Sequence, residues 1–416
     1  MIKRILFIAF AFIALWLALS SCDHRAKVVA PIHVPNLDTL KIYADKATQT
    51  ADPKDQYFAA EYLLMQYTAS DSTKAIALLT KSAEQNYPWA ANQLGNIYSA
   101  DSTDSHYDIQ KAIQFYEQGV KNGSDRAMTN LANLYANGNG VQSNLKKAMQ
   151  LRTDAILGLL KLAEQGNPAA QWRLGCNLYD GTGTQKNEKV GVDWIKSAAE
   201  QGYVPAFFSM GAIFANGMGD IPQNLKESFE WYLKGAEKGE AGAMYQVATC
   251  YSTGRGADND LPKAFDWYLK AAELGYPDAL FTVALYYQNG NGTDKNYSEA
   301  FKWYKKSAER GNTSAMNNIG AMYQSGQGVA KDEQEAFKWF MKAAEKGAAF
   351  SQRVVGDCYR DGTGVEVDKT QAFEWYKKAA AQADKTAMHR LGVCYLFGEG
   401  VPKDEKLSAF WFDQSR

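Results

Sequence analysis

Histidine and cysteine are scarce in this 416-residue chain, at four and five residues. His24, His33, His106 and His389 form no His-x-x-x-His pair, and no Cys-x-x-Cys occurs. A zinc site of either spacing is therefore not expected. An excess of one charge sign is missing too. Lys+Arg total 45 against 46 Asp+Glu, and no Lys/Arg-rich run appears. That balance excludes the electrostatic footprint of a nucleic-acid binder. The apolar run from Ile5 to Leu19 has 15 residues, short of the ~20 a spanning helix needs.

What is present is repetition. Ala-Phe-x-Trp-Tyr/Phe returns every 36 residues at Ala264, Ala300, Ala336 and Ala372. Phe229-x-Trp231-Tyr232 sits one residue off that period, and Trp411-Phe412 falls on it. A period of this length marks a solenoid whose units pack mainly on their neighbours. In each unit a first apolar stripe, such as Ala315, Met316, Ile319, Gly320 and Tyr323, has helical spacing. Gly-x-Gly then ends that helix. It occurs at Gly138, Gly181, Gly217, Gly254, Gly290, Gly326, Gly362 and Gly398, each with Gly two residues later. An Asn or Asp follows at N-cap distance: Asn144, Asn187, Asn224, Asp260, Asn296, Asp332, Asp368 and Asp404. With degenerate units at 54–85 and around Leu94, this predicts about ten antiparallel helix pairs from residue 54 to Arg416. The glycine loops lack the preceding strand and third glycine of a dinucleotide site. Gly138 to Gly181 is 43 residues where the other spacings are 36 or 37. The extra seven fall in a helix from about 145 to 165, close to two turns. They are expected as a tolerated insertion.

The N-terminus resembles a secretory signal: Lys3 and Arg4, a short apolar core, then Ser20-Ser21-Cys22. Leu19-Ser20-Ser21-Cys22 is similar to the bacterial lipobox. The resemblance implies a signal peptide over 1–21, lipid on Cys22, and a protein facing the periplasm from the cell envelope. Asp23 leaves the choice of membrane open. Residues 22–53 are expected as a tether, with a short capping helix near Leu37–Ala47 behind Asn36. Cys250, Cys358 and Cys394 recur at one place in the repeat. Equivalent positions in stacked helices lie about 9–10 Å apart, beyond the ~7 Å a disulfide needs. Buried free thiols are expected there and at Cys176.

The string Ala-x-x-x-Leu-Gly-x-x-Tyr-x-x-Gly-x-Gly-Val, then Lys-Ala-Phe-x-Trp-Tyr-x-Lys-Ala-Ala-Glu-x-Gly, resembles the Sel1-like repeat. It is best seen at 315–347 and 387–401. The resemblance implies an all-α fold: a right-handed superhelical solenoid of helix pairs related to tetratricopeptide repeats. It also implies an adaptor that gathers protein partners, without cofactor or catalysis. Some relatives carry a disulfide in each repeat, and this chain lacks that pairing. Some are linked to β-lactam binding or hydrolysis. Here Ser143-x-x-Lys146 stands without Ser-Asp-Asn or Lys-Thr-Gly. A cell-wall or β-lactam hydrolase, or a peptidoglycan- or carbohydrate-binding module, stays as the alternative.

Trp267, Trp303, Trp339 and Trp375 share a face with Ala and Phe, and are expected to be buried between units. Any binding surface is then sought on the first helices, which line the concave groove in tetratricopeptide-like folds. Two residues before the Leu-type position, off the apolar stripe, stand Asn92, Thr129, Trp172, Phe208, Tyr245, Phe281, Asn317, Arg353 and His389. The next position adds Arg173, Gln246, Asn318 and Arg390. An aromatic groove grading into a basic C-terminal part is expected, suited to an extended peptide with apolar anchors and an acidic end. The final helix, with Trp411 and Phe412, is expected to have little cover.

Overall fold

The computed structural model describes residues 37–46, 51–64, 69–100, 106–218 and 221–416. Cys22, the signal segment and Asn36 lie outside the described residues, as does Gly219. Among the described residues stand 21 α-helices and no strand, only one isolated bridge between Met218 and Ile221.

They form two compact bodies, divided after Gln223. The first holds α1 (Leu37–Lys46), α2 (Pro53–Leu64), α3 (Ala69–Glu84), α4 (Pro88–Tyr98), α5 (Ile109–Lys121), α6 (Asp125–Asn137), α7 (Leu145–Glu164), α8 (Pro168–Asp180), α9 (Glu188–Glu200) and α10 (Val204–Asn216). The second holds α11 (Leu225–Glu237), α12 (Ala241–Thr253), α13 (Leu261–Glu273), α14 (Pro277–Asn289), α15 (Tyr297–Glu309), α16 (Thr313–Ser325), α17 (Glu333–Glu345), α18 (Ala349–Asp361), α19 (Lys369–Ala380), α20 (Lys385–Phe397) and α21 (Glu405–Gln414). Even-numbered helices from α2 onward are the first helices of pairs, and odd-numbered ones the second.

Local chemistry sets the boundaries. Asn144, Asn187, Asn224, Asp260, Asn296, Asp332, Asp368 and Asp404 each accept a backbone N–H of the following first turn. The opening glycine of the loop ends the first helix in the left-handed region, as at Gly326 with φ 72°. Gly328 does more. It too has positive φ, and a Cβ there would land on the Tyr297 backbone at the start of the preceding second helix, 2.6 Å from its carbonyl carbon. Only glycine lets the loop of one unit lie against the helix of the unit before.

Each residue of the repeating block has its own packing task. The Ala is fully enclosed, 0% exposed at Ala264 and Ala300. The Phe stacks edge-on against a Tyr of the next first helix: Phe265–Tyr287, Phe301–Tyr323, Phe337–Tyr359 and Phe373–Tyr395, centroids 5.1–5.5 Å apart. The last aromatic turns inward onto the glycine of its own first helix, as Phe340 does on Gly320 and Tyr376 on Gly356. One block thus joins unit to unit and helix to helix.

The tryptophan differs from expectation. Trp303 and Trp375 are buried, but Trp231, Trp267 and Trp339 are only half-buried. A lysine one turn on covers each ring: Lys234, Lys270, Lys306, Lys342 and Lys378, with Nζ 3.6–4.2 Å from the centroid. These cation–π caps let a large ring stand at the rim of the core. The fully enclosed aromatic is the next residue, Tyr304 at 0% and Tyr376 at 1%.

The 43-residue spacing is absorbed in α7, a single helix of 20 residues. Ala148, Leu151 and Ala155 join the core shared with α1–α6, while Ile156, Leu159 and Ala163 join Leu174 and Leu178 of α8. The insertion is packed, not projected. At the start of the array, α1 lies on α2: Leu40 is fully buried, and Tyr43 meets Phe58 at 4.9 Å. At the other end the expectation needs correcting. Phe412 is covered within its own pair, by Gly392 and by the His389 ring at 5.0 Å. The exposed apolar residues of α21 are Leu407 and Phe410. All four described cysteines are free; Cys358 and Cys394 are buried as expected, but Cys176 and Cys250 are only half-buried. Desolvation raises each thiol, Cys358 and Cys394 to about 11 and Cys176 to about 12, with Cys250 moved in the same direction.

Candidate functional site

First helices stand side by side within each body, so equivalent positions form a row. In the first body the row runs through Asn92, Thr129, Trp172 and Phe208. Asn92 is buried and accepts from the Asn130 side chain at 3.0 Å. Trp172 is half-buried: its indole N–H donates to Ser209 Oγ at 2.9 Å, and its ring leans on Tyr203 at 5.8 Å. Phe208 is half-buried as well. Arg173 points back one unit and forks onto Asp125 Oδ2 through Nε at 3.0 Å and Nη2 at 2.7 Å. That pair is nearly dry, with Asp125 1% exposed and Arg173 18%; both N–H groups converge on one oxygen and leave Oδ1 without a partner, a charge-assisted contact without the two-oxygen fork.

In the second body the row is Tyr245, Phe281, Asn317, Arg353 and His389, one on each of α12, α14, α16, α18 and α20. Tyr245 leans on Tyr268 and Tyr276, centroids 5.1 and 5.2 Å away, and Phe281 on Tyr304 at 5.6 Å. Both keep part of their rings exposed, and Gln246 beside them is half-buried. Burial pushes the Tyr245 hydroxyl up, so it stays a neutral donor. Asn317 accepts from Ser351 Oγ at 2.8 Å, tying α16 to α18. His389 is exposed. Within each body the expected aromatics stand at one register, Trp172 with Phe208 in the first and Tyr245 with Phe281 in the second, flanked by hydroxyl and amide groups.

The basic half is not free cation. Asp357 lies one turn beyond Arg353 on α18 and collects three guanidinium groups. Arg353 Nη1 is 3.4 Å away, Arg360 Nη1 3.1 Å and Arg390 Nε 3.2 Å. Tyr376 also donates its hydroxyl to Asp357 at 2.8 Å. Asp384 sits 3.5 Å from Arg353 Nε, and Asp361 pairs with Arg360 at 2.6 Å. Three arginines meet three aspartates, so this end of the row is charge-balanced. The sequence reading followed the arginines and missed Asp357, although the i, i+4 spacing from Arg353 to Asp357 was a readable signal. Arg353 also lies over the exposed Phe350 ring at 4.9 Å. Among the described residues, no group of three or more His, Cys, Asp or Glu side chains is placed to hold a metal ion.

With alanine, glycine and aromatics packed this way in successive units of the second body, the fold is a solenoid of helix pairs whose core side chains are consumed by contact within and between units. The chain belongs to the Sel1 repeat family, whose model matches residues 53–87, 90–124, 125–151, 168–203, 206–240, 241–276, 277–312, 313–347, 349–384 and 385–415. Such solenoids are generally protein–protein interaction scaffolds. A solved Sel1 repeat protein from Oxalobacter formigenes is similar at 29% identity and a TM-score of 0.52, covering 79% of this chain and 92% of that one. A protective antigen of uropathogenic Escherichia coli is 30% identical, with a TM-score of 0.41, over 92% of this chain and 87% of that one. An uncharacterized protein of Neisseria meningitidis serogroup B is 27% identical over 156 residues, a third (33%) of each chain.

Proposed function

We propose that this chain is a lipid-anchored scaffold of the bacterial cell envelope that binds a protein or extended peptide on its first-helix row. One observation carries the binding reading. The aromatics of the repeating block are engaged, Phe on the next first helix, Tyr inside its own pair and Trp under a lysine, whereas Tyr245 and Phe281 stand at one register on neighbouring first helices with ring surface left over. Half-exposed aromatics at a fixed spacing serve as anchors for apolar side chains of an extended ligand, and the surrounding Gln246, Asn317 and Asn318 supply hydrogen bonds to its backbone. The ion-paired Asp357 end contributes register and specificity more than attraction. Lipid on Cys22, supported by the lipobox-like Leu19–Cys22 string, would hold the array at a membrane through a segment long enough to act as a tether.

The test is site-specific photo-crosslinking in intact cells. A crosslinker replacing Phe281 or His389 should capture a discrete partner, and one replacing the exposed Lys305 on the second-helix side should not. Tyr245→Ala with Phe281→Ala should abolish the capture from position 389. Equal capture from position 305 and position 281 would show that the row is not the binding face. Loss of metabolic lipid labelling in Cys22→Ala tests the anchor separately.

A further inference from the structure

The seven-residue step in α7 leaves part of that helix without the cover its equivalents receive. In the regular units the second loop glycine lies on the opening residue of the preceding second helix, as Gly256 does on Leu225 and Gly292 on Leu261. Gly183 instead meets Arg152, the eighth residue of α7: a Cβ at this glycine would stand 3.7 Å from Arg152 Cβ. The next pair therefore stacks about two turns further along α7 than the repeat places it elsewhere. The inward face of those two turns is packed through Ala148 and Leu151. The outward face carries Leu145 and Met149, one turn apart and 65% and 60% exposed. In α11 and α13 the same two positions, first and fifth in the helix, hold Leu225 with Phe229 and Leu261 with Phe265. There a tyrosine of the following first helix closes over the phenylalanine, Tyr251 on Phe229 and Tyr287 on Phe265, with centroids 5.3 and 5.1 Å apart. Phe265 is left only 8% exposed.

The uncovered place is the one a first helix fills in the regular units, and the charge around it has one sign. From Val141 to Thr153 the chain has Lys146, Lys147 and Arg152 and no acid. Lys146 is exposed. Lys147 lies over the Tyr135 ring at 4.1 Å, and Arg152 gives an N–H to Asn133 Oδ1 at 2.9 Å. We propose that the first two turns of α7 dock an amphipathic α-helix of a partner protein. That helix sets an aromatic side chain against Leu145 and Met149 and turns acidic residues toward Lys146 and Arg152. The aromatic requirement follows from the regular units, where a tyrosine fills this place; the acidic one follows from the cationic rim. Met149, flexible and polarisable, adapts to such a ring. An anionic membrane surface would meet the same charges, but two apolar side chains give little area to bury in a bilayer. The surface lies wholly in the first body and does not depend on Tyr245 and Phe281 in the second.

The chain itself supplies a probe. Residues 277–294 are the first helix and loop that cover Leu261 and Phe265, and they carry Asp278, Asp294 and Tyr287 but no Lys or Arg. A helix-stapled, fluorescent peptide of this sequence is titrated into the full-length protein and followed by anisotropy. It should bind with a Kd below about 100 μM at low salt, and more weakly as salt rises. Leu145→Ser with Met149→Ser, both at exposed positions, should weaken binding at least about tenfold while keeping the native far-UV spectrum and melting curve. Lys146→Glu should weaken it about threefold, and Tyr287→Ala in the peptide at least about tenfold. Protein carrying Tyr245→Ala and Phe281→Ala should bind as wild type does. Absence of binding to the wild-type protein overturns the proposal. So does unchanged affinity in the Leu145→Ser, Met149→Ser protein, or a loss in the Tyr245→Ala, Phe281→Ala protein, which would put the peptide on the row instead. Vesicles of phosphatidylglycerol and phosphatidylcholine form the opposing arm. Sedimentation with them that needs Leu145 and Met149, in a protein that ignores the peptide, would assign the surface to a membrane and overturn the proposal as well.

Discussion

Gly326 and Gly328 stand two residues apart in one loop, both with positive φ, 72° and 75°. Replacing each by Ala separates two effects that glycine usually mixes. An Ala held in the left-handed region costs about 1–2 kcal/mol, partly offset by ~0.4–1 kcal/mol from a less flexible unfolded chain. At Gly326 nothing else is lost, because the nearest atom to a new Cβ is Lys331 Cβ at 3.5 Å, ordinary contact. At Gly328 the Cβ would also lie 2.6 Å from the Tyr297 carbonyl carbon and 3.0 Å from Ser298 N. Ordinary carbon contacts are about 3.5–4.0 Å, so loop and helix must part by about 1 Å. Overpacking of this kind adds about 1–3 kcal/mol. We therefore expect Gly326→Ala to cost about 1 kcal/mol and Gly328→Ala about 2–4 kcal/mol. Repeat arrays do not always unfold in one step, so native-state hydrogen exchange is the suitable assay. The excess loss in Gly328→Ala should appear in α15 and α16, on either side of the contact. Equal losses for the two variants would refute the idea that the second glycine exists for the approach of neighbouring units.

Trp303→Ala should cost ~3–5 kcal/mol as a buried large-to-small change, and Trp339→Ala less, because that ring is only half-buried; equal Tm losses would contradict the rim assignment. Burial raises the Glu61 carboxyl from 4.5 to about 7, so the folded state holds this proton more tightly than the unfolded one. Its stabilising share is present below about pH 4.5 and disappears as pH rises to about 7, a swing of up to about 3 kcal/mol. Glu61→Gln should remove that part of the stability–pH slope, and an unchanged slope would show that Glu61 is not buried as described. Native Cys358 and Cys394, raised to about 11, should alkylate at pH 8 about a hundredfold or more slowly than in denaturant. Rapid native labelling would contradict their enclosure.

The helix boundaries were legible because they are made locally. Asp332 caps α17 and Gly326 ends α16 through bonds to atoms only a few residues away, so spacing alone reveals them. The seven extra residues between Gly138 and Gly181 were legible for the same reason, since an insertion lengthens the spacing between repeated glycines directly. The tryptophan environment was less legible. Composition makes Trp look like core, but whether a ring is enclosed depends on what the neighbouring unit covers and on where the flanking lysine reaches. The charged end of the row failed for a related reason. Arg353 and Arg390 are visible as cations, but their neutralisation by Asp357, which lies between them in sequence, needs α18 and α20 to be adjacent.

The Ala-Phe-x-Trp-Tyr period by itself determined the solenoid and its register, and the Gly-x-Gly loops with their Asn or Asp caps extended the count of units, because each unit closes through contacts that recur at a fixed sequence distance. Only the tertiary structure decided which polar groups remain unmet. Glu61, Asp125 and Arg126 carry no repeat signature, and they are assembled from α2 and α6 across an intervening pair. Their desolvation is a property of that three-dimensional neighbourhood.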